Sequence, residues 1–122
     1  MSSILTDREI DLMNVLWQHG PSTVAEIHQR LQDNLAYTTV LSLMRTLESK
    51  GLVRRTKEGR AHRYAPTLDR DRATGAAVSS LAAKFFRGSR ELLLLHLATN
   101  EKLTPKALQR LEQLLRERKE QK

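Results

Sequence analysis

The sequence contains no cysteine. Without thiols there is no disulfide framework, thiolate metal site or cysteine nucleophile, and the composition suits a reducing cytoplasm. Long apolar stretches are missing too: the longest unbroken run, Leu92 to Leu95, falls far short of the roughly 20 residues that a bilayer span requires. Met1-Ser2-Ser3 begins no signal peptide, so a cytoplasmic protein is expected. The four histidines, at 19, 28, 62 and 96, have no local metal-ligand spacing, and the carboxylates form no distinctive catalytic cluster. No Gly-rich phosphate loop or nucleophile elbow is present. These absences argue against an enzyme, and no metal or other cofactor is expected.

What the sequence has is positive charge, unevenly spread. The 122 residues carry 21 Lys+Arg against 14 Asp+Glu, a formal net charge of +7, on one small domain or one domain with an appendage. Residues 1–36 hold two basic and five acidic side chains, residues 37–66 seven and two, and residues 67–122 twelve and seven. The basic excess of the first half is therefore confined to thirty residues. Basic patches attract phosphate polyanions and membrane surfaces alike, so charge alone does not choose a partner.

Periodicity supplies the organisation. Thr6-Asp7-Arg8-Glu9 has capping-box spacing, and Ile10, Met13, Leu16 and Trp17 follow as the buried face of a first helix. His19-Gly20-Pro21-Ser22 ends it, and Ser22 or Thr23 is placed to cap a second helix bearing Val24, Ile27 and Leu31. A third helix, from about Tyr37 to Lys50, repeats the spacing with Val40, Leu43 and Leu47, and Gly51 is placed to end it as a left-handed cap. The period then turns from helical to alternating. Leu52 to Thr56 and Ala61 to Ala65 read as the strands of a β-hairpin, with Lys57-Glu58-Gly59-Arg60 between them and Pro66 closing the pairing.

The tail returns to helix. Arg70 to Phe86 offers Ala77, Leu81 and Phe85 on one face, Ser89 to Ala98 carries Leu92, Leu93, Leu94, Leu95 and Leu97, and Thr104-Pro105 opens a last helix lined by Leu108, Leu111 and Leu115. That is more apolar surface than three helices alone can hide, which points to self-association through these residues.

Three short helices followed by a two-stranded hairpin is the order of a winged helix-turn-helix. The expected fold is mainly α: a winged-helix DNA-binding domain over residues 1–68 and a C-terminal three-helix dimerisation region over residues 69–122. On the third helix, Thr38, Thr39, Leu41, Ser42 and Arg45 lie roughly opposite the buried stripe. Such a face suits the major groove: hydroxyls permit close approach, Leu41 can meet a thymine methyl and Arg45 can be bidentate to guanine. The hairpin adds Arg54, Arg55, Lys57, Arg60, His62 and Arg63 as phosphate contacts, and alternation is expected to put Arg55 and Arg63 on one face. A solvated helix face and an edge hairpin guarded by its cations give the same patterns. A winged-helix architectural or protein-interaction module with non-specific nucleic-acid binding therefore stays open beside a sequence-specific regulator.

Leu35-Ala36-Tyr37-Thr38-Thr39-Val40, Leu47, Lys50-Gly51-Leu52-Val53 and Gly59-Arg60-Ala61-His62-Arg63-Tyr64-Ala65-Pro66 resemble the BlaI/MecI/CopY family of bacterial transcriptional repressors, also called penicillinase repressors. Asp11 to Trp17 is similar to the family's first helix, Ala98 to Leu103 matches within the tail, and the resemblance covers nearly the whole chain. It implies a homodimer with intertwined C-terminal helices whose winged helices bind a pseudo-palindromic operator. It also implies derepression through a membrane sensor metalloprotease system, by cleavage at the position corresponding to His96-Leu97, where well-known members have Asn-Phe. The cysteine-rich metal-binding tail of CopY-type members is missing here, which excludes copper sensing by that route.

Overall fold

A computed structural model describes residues 5–121. Its elements run α1 (Asp7–His19), β1 (Ser22–Thr23), α2 (Val24–Arg30), α3 (Tyr37–Ser49), β2 (Val53–Glu58), β3 (Ala61–Pro66), α4 (Arg70–Phe85), α5 (Arg90–Asn100) and α6 (Pro105–Glu120). The fold is mainly helical, with a three-stranded antiparallel sheet in the order β1-β3-β2. It is a winged helix-turn-helix followed by three further helices.

The first helix starts where its capping box predicts. The Thr6 hydroxyl accepts from the Glu9 amide at 3.2 Å, and the Glu9 carboxylate accepts from the Thr6 amide at 2.9 Å. Its buried face differs from expectation: Glu9, Leu12, Met13, Val15 and Leu16 are inside, whereas Ile10 is 39% exposed and Trp17 only partly covered. Positions 9, 12, 13 and 16 form a regular helical stripe whose first member is a carboxylate, so apolar spacing alone started the stripe one residue late.

The second helix opens with another capping box, unanticipated in the sequence, between Thr23 and Glu26. Ser22, the alternative cap, is instead fully buried in β1. That strand was also unexpected, because two residues carry no period; it pairs Ser22 with Tyr64 and Thr23 with Arg63.

The third helix buries Val40, Met44 and Leu47, with Leu43 only partly covered. Residues 43 and 44 are both apolar and both one turn from Val40, so spacing could not choose between them. Gly51 ends the helix at φ 77° with the hydrogen bonds of a Schellman motif: its N–H donates to the Glu48 carbonyl at 2.9 Å and that of Leu52 to the Leu47 carbonyl at 3.0 Å. The cores of α1, α2 and α3 close on Leu52, Val53 and Tyr64 of the wing. Each such side chain contributes about 1.5–3 kcal/mol by leaving water.

The chain forms two compact units, divided between Ala77 and Val78. In the second unit Ser89 and Thr104 cap α5 and α6, accepting from the Leu92 and Ala107 amides at 3.0 Å. The Phe86 and His96 rings pack 5.7 Å apart, and Arg90 donates to the Ser79 hydroxyl. Among the described residues only Ala82 and Leu93 are buried there, and α6 buries nothing. Leu93, expected with the dimerisation residues, is thus covered by its own chain. Leu81, Phe85, Leu92, Leu94, Leu95, Leu97, Leu108 and Leu115 are exposed, and Leu111 is half-buried. No helix among the described residues is long and apolar enough to cross a membrane.

Candidate nucleic-acid interface

The turn between α2 and α3 is pinned from both sides, which fixes where α3 begins. His28 Nε2 lies 2.8 Å from the Leu35 carbonyl, its ring meets Tyr37 edge-on at 5.8 Å, and Arg8 pairs with Asp33. At its far end α3 is tied to α1: Lys50 Nζ donates to both Glu9 carboxylate oxygens, at 2.8 and 2.9 Å. Burial alone would raise the Glu9 carboxyl, but the Lys50 ammonium and the Thr6 amide outweigh it and hold the group below its ordinary value. The recognition-type helix is therefore clamped at both ends.

Between these clamps, Thr38, Thr39, Ser42 and Arg45 are exposed along one side of α3. Leu41 is different. Expected to point away from the core, it is half-buried and packs against the core's edge. The Thr46 hydroxyl bonds back to the Ser42 carbonyl at 3.1 Å.

The wing's cations divide between two faces. A two-residue loop, Gly59-Arg60, joins Glu58 to Ala61, with Gly59 at φ 61° in the first loop position, as a type II′ turn requires. This loop pairs Arg55 with Tyr64, Thr56 with Arg63 and Lys57 with His62. Directly paired residues share a face, so Arg55, Lys57 and His62 lie on the side of Tyr64, while Arg54 lies with Arg63 on the other. The expected grouping of Arg55 with Arg63 is thereby corrected. Two residues of equal parity fall on opposite faces across a two-residue loop.

Ion pairing separates the cations further. Arg55 Nε lies 3.2 Å from Glu48 of α3, and Arg63 is paired with Glu26 and Glu58. Among the described residues no ion pair involves Arg45, Arg54, Lys57 or Arg60. These four, with His62, are exposed. No group of three or more His, Asp or Glu among the described residues is placed to hold a metal ion. The chain offers hydroxyls and one guanidinium on a helix of groove-fitting size, and uncompensated positive charge on its wing.

Comparison with known proteins agrees with that geometry. A profile of the penicillinase repressor family matches residues 5–117. The transcriptional regulator BlaI of Mycobacterium tuberculosis is 41% identical over 96 residues, covering 75% of this chain and 70% of that protein. The penicillinase repressor of Bacillus licheniformis is 26% identical over 120 residues, covering 97% of this chain and 94% of that one. The solution structure of the DNA-binding domain of the repressor BlaI superimposes with a TM-score of 0.53 at 28% identity, covering 59% of this chain and 93% of that chain. By its sequence and by its winged-helix fold, the chain belongs to the penicillinase repressor family.

Proposed function

We propose that the protein is a transcriptional repressor that binds a pseudo-palindromic operator as a homodimer, with residues 1–68 as the DNA-binding domain and residues 69–122 as the dimerisation region. The observation that carries this reading is the exposed α3 face, Thr38, Thr39, Ser42 and Arg45, together with wing cations that have no carboxylate partner among the described residues, Arg54, Lys57 and Arg60. In the major groove that face meets base edges, with Leu41 against the groove wall, while Arg54, Arg55, Lys57, Arg60 and His62 contact phosphates. The exposed leucines of the tail supply the second half. Leu95, 52% exposed, Leu115, 46% exposed, and their neighbours are buried when two chains pair, and a two-fold protein then reads a two-fold operator.

Selection from a randomised duplex pool tests this. The wild-type protein is expected to enrich an inverted repeat; recovery of unrelated sequences would favour a non-specific binder. On the selected duplex, Arg45→Ala should relax preference at one position of each half-site by about 1–3 kcal/mol, whereas Arg60→Ala should weaken all sequences alike and flatten the salt dependence.

Cleavage at His96-Leu97, triggered by a membrane sensor metalloprotease system, is the proposed route of derepression. The bond lies inside α5 with both side chains exposed, and cutting it detaches α6, with Leu108, Leu111 and Leu115, from the winged helix. Mass spectrometry of the chain recovered from derepressed cells should find the two fragments; an intact chain there rules this route out.

A further inference from the structure

One arginine of the wing is bound up within the protein. Arg63 Nε and Nη2 donate to the two carboxylate oxygens of Glu58 at 2.8 and 2.9 Å, and Nη1 donates to Glu26 Oε1 and to the Pro21 carbonyl, both at 3.0 Å. Four of the guanidinium's five N–H donors are thereby engaged. The bidentate fork to Glu58 is the geometry a phosphate would otherwise take up. Both carboxylates are held below their ordinary values, Glu26 by the Thr23 amide and then by Arg63, Glu58 by the Arg63 hydrogen bonds.

The position of this node matters more than its strength. Arg63 sits opposite Thr56 in the hairpin and opposite Thr23 in β1, so it stands where the wing leaves the body of the domain. Beyond it, Lys57, Arg60 and His62 are all exposed. Glu58 belongs to the wing, whereas Glu26 is in the first turn of α2 and Pro21 precedes β1. One planar cation therefore bridges the projecting hairpin to the start of the helix-turn-helix.

We infer that Arg63 is a positioning residue, not a phosphate ligand: with Glu26 and Glu58 it holds the wing at the angle that brings Arg60 to the DNA backbone. This rests on the repressor reading, since it assigns a role within that same interface. It also reverses the expected sign for the two carboxylates. Acidic groups beside a DNA-binding surface ordinarily oppose binding, yet here Glu26 and Glu58 support it.

The test is a double-mutant cycle with the full chain, on the labelled duplex that the wild-type protein enriches most from a randomised pool. Arg60→Ala should weaken binding about fivefold in the wild-type background and less than about twofold once Arg63→Ala has released the wing. Equal losses in both backgrounds mean an independent contact or a role confined to folding, and overturn the proposal. Arg63→Lys separates charge from geometry, because an ammonium keeps the charge but cannot bridge two carboxylates and a carbonyl. It should bind like Arg63→Ala; wild-type affinity would contradict the positioning role. Should Arg63→Ala fail to fold, Glu26→Gln takes its place, since glutamine keeps the capping-box acceptor and removes the charge. It should weaken binding although the protein becomes more basic, and tighter binding would defeat the inference. A wild-type protein that binds no duplex refutes the repressor reading itself, a result distinct from an additive cycle in a chain that does bind.

Discussion

The two units of this chain solve the problem of burial in opposite ways. In the first, residues scattered over α1, α2, α3 and the hairpin converge on one core in which Leu12, Met13, Ile27, Val40, Met44 and Leu47 are wholly inaccessible. In the second, a comparable supply of leucines stays outside: α5 buries Leu93 alone, α6 buries nothing, and Phe85 is 74% exposed. A short chain that shields the apolar side chains of one unit and displays those of the other has the organisation expected of a self-sufficient head and, on the proposed reading, a tail that pairs with a second copy. The same division separates the polar work, because the face proposed to read DNA lies wholly on the unit with its own core.

The comparison breaks most visibly at the core of the first unit. Leu47→Ala should lower its stability by about 2–5 kcal/mol, seen as a lower denaturant midpoint followed through Trp17 fluorescence. A smaller effect of opposite character is expected in the tail: Leu95→Asp should weaken self-association about 100-fold, while the head unit keeps its unfolding midpoint. If Leu95→Asp unfolded the head as well, the two units would not be independent.

The boundary between fold and site is sharpened by smaller changes. Glu9→Gln, which loses the charge-assisted bonds from Lys50 to a buried carboxylate, should cost about 1–2 kcal/mol. It should also alter the pH profile. The folded-state pKa of Glu9 lies below its unfolded value, so the stability it contributes is present above the ordinary carboxylate range and is lost as pH falls through the folded value. The wild type should therefore lose more stability between about pH 5 and the acid limit than Glu9→Gln does, in denaturation curves at a series of pH values. Smallest is Gly51→Ala. An added Cβ meets nothing within 4 Å, so its cost is the left-handed backbone alone, about 1 kcal/mol in a thermal melt.

How much of this was readable beforehand follows from the range of the forces concerned. Local chemistry was legible: the Thr6 to Glu9 capping box, the Gly51 stop and the change from helical to alternating period placed α1, α3 and the wing. The Thr23 to Glu26 box carried the same signal and was readable by the same rule. Long-range pairing was not legible. Glu9 looked like a cap alone because Lys50 is 41 residues away, and β1 exists only because β3 lies beside it. The wing's faces hinged on whether its loop held two residues or four, which Lys57-Glu58-Gly59-Arg60 left undecided. For the candidate interface, the α3 face was readable from the helical period, but Leu41 and Arg63 were not. The first depends on tertiary packing that brings Leu41 against the core, the second on partners at positions 21, 26 and 58.

Sedimentation velocity of the full chain at micromolar concentration tests the division of labour most directly. A species of twice the chain mass, converted by Leu95→Asp into a folded monomer, is the predicted result. A wild-type chain that sediments as a folded monomer at concentrations where it binds its selected duplex would contradict it.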